Sequence, residues 1–155
     1  MINKLFYFAY GSNMYHKQMN KRCPSSKFLK PVYLDKYKFV YDGESKRWDN
    51  KAVANVLYSD GCQVWGGLFE INEDNLAALD CFEGHPNSYD KKMVEVQDAD
   101  GDKYEAWVYH RTNKNPGDPS DKSVSGVRSC FLHFHITPSK KIGFCSNYQH
   151  NACRA

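Results

Sequence analysis

Leu5-Phe6-Tyr7-Phe8-Ala9-Tyr10 is an unbroken apolar and aromatic run that stops at a glycine, Gly11. It is far shorter than the roughly 20 residues of a membrane span, and too short for the apolar part of a secretory leader. A run of this length reads as a buried strand, so the chain must supply partners for it. Residues 32–41 alternate, with Val32, Leu34 and Lys36 on one face and Tyr33, Tyr37, Phe39 and Tyr41 on the other. Residues 52–58 and 62–71 read as two strands joined by Ser59-Asp60-Gly61, a hairpin signal. Residues 92–97 and 104–110 read as two more, linked by Asp98-Ala99-Asp100-Gly101-Asp102.

Two short helices complete the pattern. Gly11-Ser12-Asn13 is a turn in which Ser12 or Asn13 can cap a helix over residues 14–22, which stops before Cys23-Pro24. The second helix covers residues 72–82. Asn72 can cap it, Glu73 and Asp74 suit the positive end of its dipole, and Gly84 suits its end. About six strands and two short helices, not regularly alternating, predict an α+β fold with a curved or barrel-like sheet. The 155 residues make one ordinary domain, long enough to bury roughly 70% of the surface its unfolded chain exposes.

Charge and cysteine usage narrow the class. The net charge of +3 is uneven: residues 1–110 carry 14 Lys and Arg against 16 Asp and Glu, and residues 111–155 carry 7 against 2. The main body has no basic footprint for nucleic acid. The lack of a leader or span predicts a soluble cytoplasmic protein without membrane partners. Its six cysteines are then expected to be reduced thiols, with Cys81 a small buried residue of the second helix. Cys130, His133, His135, Cys145, His150 and Cys153 lie at irregular intervals that match no zinc signature. There is no phosphate loop or dinucleotide fingerprint. No metal or other cofactor is expected.

Two segments can carry chemistry. Leu76, Leu79 and Glu83 recur at i, i+3 and i+7 and share one helix face. Glu83 thus lies in line with an apolar stripe and at the negative end of the helix, and both circumstances disfavour its charged form. A carboxyl so placed suits general acid/base work near neutral pH; a Glu that bends out to water fits the same spacing. Tyr10-Gly11-Ser12-Asn13 joins a strand to a helix, where unpaired backbone N–H groups favour a carboxylate or a developing oxyanion. A tight turn with an N-cap fits it equally. Tyr89 can offer its hydroxyl to a substrate or simply pack, and Trp48, in a polar loop, can wall a pocket or cover the core.

Together these residues resemble the γ-glutamylcyclotransferase-like (AIG2-like) family. Phe8-Ala9-Tyr10-Gly11-Ser12-Asn13-Met14 resembles its N-terminal signature, and Val64-Trp65-Gly66-Gly67-Leu68-Phe69-Glu70-Ile71 its central strand. Leu79-Asp80-Cys81-Phe82-Glu83-Gly84, followed by Tyr89, resembles the segment bearing its catalytic glutamate. The resemblance implies a small mixed β-barrel flanked by short helices. It also implies conversion of a γ-glutamyl amine or amino acid to 5-oxoproline and a free amine. By the same resemblance Glu83 is the acid/base, and Tyr10, Gly11, Ser12, Asn13, Met14 and Tyr89 bind the small-molecule substrate. The resemblance covers residues 5–110. Residues 1–120 are expected to form the domain and residues 121–155 a divergent, basic, poorly ordered tail. Residues 123–155 do not follow the family's pattern, and that leaves a second reading: an inactive relative that binds a small γ-glutamyl-like ligand. Nothing in the residues sets the oligomeric state.

Overall fold

The structure is a computed structural model that describes residues 3–45 and 51–111. Trp48 and the tail, with its cysteines and histidines, lie outside the described residues. Five strands form a closed barrel: β1 (Leu5–Ala9), β2 (Lys27–Ser45), β3 (Lys51–Ile71), β4 (Tyr89–Gln97) and β5 (Lys103–Arg111), in the order β1-β3-β2-β4-β5. Four pairings are antiparallel, and the ring closes where β1 meets β5 in parallel at Tyr7 and Trp107. A 3-10 turn (Ser12–Met14) leads into α1 (His16–Arg22), and α2 (Glu73–Glu83) joins β3 to β4. The expected small mixed barrel with flanking helices is the fold observed. Among the described residues no helix is long and apolar enough to cross a membrane.

Alternation along β1 divides the core in two. Phe8 and Tyr10 point one way and join Val32, Val64, Leu68 and Val108 in a cluster built from every strand, which is the barrel interior. Tyr7 and Ala9 point the other way and meet Met14, Met19, Cys23 and Leu79, the side chains that the helices lay on the barrel wall. One short strand thus carries both the barrel filling and the bed for α1 and α2. Its approach to β3 is close: a Cβ on Gly66 would lie 2.3 Å from the Ala9 carbonyl oxygen and 2.7 Å from the Phe8 ring.

Two expectations fail for the same reason. Ser59-Asp60-Gly61 makes no hairpin; β3 runs through it unbroken. β2 pairs with both halves of β3, from Lys27 opposite Glu70 to Ser45 opposite Lys51, and this long ladder overrides the local turn signal. The extra residues bulge instead. Between the pairs Asp35–Gln63 and Tyr37–Tyr58, β2 has Lys36 alone while β3 has four residues, with Gly61 at φ +77°. A bulge shifts side-chain parity. Lys36, at φ +60°, is exposed, and beyond it Tyr37 and Phe39 pack on the same barrel interior as Val32 and Leu34. The predicted grouping of Tyr33 with Tyr37 is therefore wrong: Tyr33 stands outside, 5.0 Å from the Trp65 ring. The second hairpin, β4–β5, is as expected. Asp98 Oδ1 accepts from the N–H groups of Asp100 and Asp102 in its turn.

Of the cysteines in the described residues, Cys23 and Cys81 are free. Cys62 is disulfide-bonded, contrary to the expectation of reduced thiols. Cys81 is exposed rather than buried, because it lies off the Leu79 face of α2.

Gly66→Ala should cost about 1–3 kcal/mol, the usual range for overpacking. The nearest obstacle is a backbone oxygen that cannot swing aside. Urea denaturation measures this, and an unchanged midpoint would contradict the close β1–β3 approach.

Candidate active site

Local signals at both ends of α2 position Glu83. Asn72 Oδ1 accepts from Asn75 N at 2.8 Å, and Asn75 Oδ1 accepts from Asn72 N at 3.3 Å, a reciprocal capping box. Gly84, at φ +67°, adopts the left-handed cap that a glycine takes without strain, so Glu83 is the last helical residue. Leu79 is fully buried and Leu76 packs on the same cluster, as the helical spacing requires. Glu83 follows that face inward and keeps 17% of its side chain exposed.

The loop before α1 meets it there. Neither Ser12 nor Asn13 caps α1, whose N-cap residue is Tyr15 without a side-chain cap. The reason is that both side chains are engaged elsewhere. Ser12 Oγ accepts from Gln18 Nε2 at 2.9 Å. Asn13 is buried, and its Nδ2 donates to Glu83 Oε1 and to the Tyr7 hydroxyl, each at 2.9 Å. Its Oδ1 accepts from Arg22 Nη1 at 2.7 Å and from Gln18 Nε2 at 3.3 Å. Arg22 Nη1 also stands 3.8 Å from Glu83 Oε1. Two segments seventy positions apart are thus joined through one amide.

The other expected site residues divide. Gly11 and Tyr89 converge on Ala54: a Cβ on Gly11 would sit 3.3 Å from the Ala54 Cβ, and the Tyr89 hydroxyl donates to the Ala54 carbonyl at 2.8 Å. Tyr10 and Met14 place their side chains in the two core clusters, and the Tyr10 hydroxyl donates to the Tyr109 carbonyl at 2.7 Å. They shape the loop from below. Among the described residues, the backbone N–H groups of Gly11, Ser12 and Asn13 have no carbonyl partner, as befits the first turn of a helix.

Tyr7, Gln18 and Arg22 were not singled out in the sequence. One signal existed: Gln18 and Arg22 are four apart on α1 and must share a face. Burial, and next the Glu83 charge, push the Tyr7 phenol far above its ordinary range, so it remains protonated. Tyr109 is raised likewise, first by burial and then by its hydrogen bond to Asp80 Oδ1 at 2.6 Å. Burial works against the Asp80 carboxylate. Hydrogen bonds from Lys91, at 2.6 Å, and from Tyr109 outweigh it and hold the carboxyl below its usual range.

A family model described as gamma-glutamyl cyclotransferase, AIG2-like, matches residues 7–126. The chain belongs to this family. It is 30% identical over 118 residues to the gamma-glutamylcyclotransferases of Bos taurus and Homo sapiens, across 74% of its own length. It spans 63% of the length of these curated relatives. A solved gamma-glutamyl cyclotransferase superimposes with a TM-score of 0.83 at 25% identity, covering 89% of this chain and 84% of that one. An uncharacterised protein from Homo sapiens gives 0.82 at 26%, with 88% and 83% covered.

The Asp80 contacts carry a pH dependence. A depressed folded-state pKa contributes stability that is fully present above the unfolded value of 3.8 and is lost as pH falls below it toward the folded value. Asp80→Asn should therefore flatten the fall in stability below about pH 4. Urea midpoints measured between pH 2.5 and 6 check this, and an unchanged acid limb would contradict it.

Proposed function

We propose that this protein is a γ-glutamylcyclotransferase-type enzyme, with Glu83 as its general acid and base. The observation that carries the reading is the 2.9 Å hydrogen bond from Asn13 Nδ2 to Glu83 Oε1, which joins Glu83 to the loop of residues 10–13. The substrate class is a γ-glutamyl amine or amino acid. Gly11 and its neighbours offer backbone N–H groups to the substrate, and Tyr89, which donates to the Ala54 carbonyl, lines the same site.

The reaction follows from these parts. Glu83 takes a proton from the α-ammonium group, and the freed amine attacks its own γ-carbonyl carbon. Attack within one molecule leaves the protein mainly the task of fixing geometry. The carbonyl oxygen becomes an oxyanion, which the loop N–H groups stabilise. The tetrahedral species collapses as Glu83 returns its proton to the leaving nitrogen and the bond to that nitrogen breaks. Glu83 then takes the second proton from the ring nitrogen and passes it to the departing amine, which leaves as its ammonium form. The products are 5-oxoproline and a free amine; no water is consumed and no cofactor is needed. Tyr7 and Tyr109 stay protonated throughout, so neither competes as a base. Burial pushes the Cys23 thiol up to about 11, against the opposing pull of Arg22, which leaves it a poor nucleophile.

Purified protein incubated with a γ-glutamyl panel should release 5-oxoproline from at least one member. Glu83→Gln should lower that rate by about 100-fold or more, the range for a positioned acid/base. Equal rates for wild type and Glu83→Gln would sink the assignment. Binding by calorimetry without turnover would favour a relative that only binds its ligand.

A further inference from the structure

We propose that Arg22 is the positioning residue for Glu83: it fixes which way the Asn13 amide faces and holds Glu83 as a carboxylate, ready to accept a proton. The inference rests on the acid/base reading of Glu83 and adds how that group is kept ready.

The first part is a matter of donors and acceptors. An amide has two nearly superimposable orientations, and its neighbours decide between them. Gln18 carries an amide of its own and can satisfy either orientation. Arg22 cannot, because a guanidinium only donates. With Asn13 turned over, Nδ2 would face the guanidinium and Oδ1 would face the Glu83 carboxylate, and both contacts would repel. Arg22, at 2.7 Å from Oδ1, therefore selects the orientation in which Nδ2 reaches Tyr7 and Glu83.

The second part is charge. Arg22 and Glu83 keep only 13% and 17% of their side chains exposed, and Nη1 lies 3.8 Å from Oε1. Salt screens a pair so sheltered less than it screens surface ions. The guanidinium also lies 5.0 Å over the ring of Phe82, the residue before Glu83, which ties it to the end of α2. Two groups that sense the Glu83 charge are neutral: Tyr7 from β1 and Tyr109 from β5 are phenols kept protonated by burial. Cys23, beside Arg22 on α1, remains a thiol. Asp80, one turn back on α2, is engaged by Lys91 and Tyr109. The positive charge facing Glu83 among these groups is Arg22.

The test follows the Glu83 side-chain carboxyl by carbon NMR through a pH titration, in wild type, Arg22→Gln and Arg22→Lys. Steady-state formation of 5-oxoproline is measured alongside. Arg22→Gln keeps a donor but removes the charge. It should raise the Glu83 midpoint by on the order of one unit or more, with the acid limb of kcat/KM moving by the same interval. Its kcat should fall about 10-fold or more, as for misplacement of a catalytic group, with KM changed far less. Arg22→Lys should bring the midpoint back toward wild type without restoring kcat, because one ammonium cannot reproduce the planar fork. A folded Arg22→Gln protein in which Glu83 titrates as in wild type would overturn the proposal. So would a wild-type Glu83 that is protonated at neutral pH, which decides the matter even if no variant folds. A wild type that makes no 5-oxoproline from any substrate would sink the proposed reaction and leave the titration result standing.

Discussion

An amide side chain offers two N–H donors and one carbonyl oxygen that can accept twice. Asn13 uses all four inside the protein: Tyr7 and Glu83 on the nitrogen, Arg22 and Gln18 on the oxygen. These partners come from β1, α2 and α1, so a single buried group ties all three elements to the loop before α1. A buried amide left partly unsatisfied would cost on the order of 1–3 kcal/mol per group. The arrangement therefore holds together as a set, and losing one member leaves the others exposed to that cost.

The barrel makes the set possible. β1 gives its inner face to the barrel filling and its outer face to the helices, so Tyr7 arrives beneath α1 and α2 with its hydroxyl toward Asn13. Gly66 lets β3 approach the end of β1, where the loop of residues 10–13 begins. On the other side Tyr109 supports both parts at once. Its carbonyl accepts the Tyr10 hydroxyl, and its own hydroxyl reaches Asp80, three residues before Glu83. Loop and helix end are thus held by one strand, β5, as well as by the Asn13 amide.

Local order was legible in the sequence. Asn72, Leu79 and Gly84 mark the start, the buried face and the end of α2 by rules that act within one or two turns, and all three do what their types predict. The β4–β5 turn is equally local. What failed depended on partners far along the chain. Ser59-Asp60-Gly61 became a bulge because β2 pairs on both sides of it, and Lys36 reversed the parity of the strand opposite. Asn13 has the composition of an N-cap, and nothing nearby says that Glu83 and Arg22 will claim its amide instead. The raised pKa inferred for Glu83 considered burial and the helix dipole alone. Asn13 and Arg22, both of which favour the charged form, enter only in three dimensions.

The junction between Asn13 and Glu83 is open to direct measurement by a double-mutant cycle. Unfolding free energies are taken for wild type, Asn13→Ala, Glu83→Ala and the pair. Side chains sharing one buried hydrogen-bond network should show a coupling energy of about 0.5–3 kcal/mol. Losses that simply add would mean the two segments stand side by side without depending on each other, and the proposed site would lose its keystone.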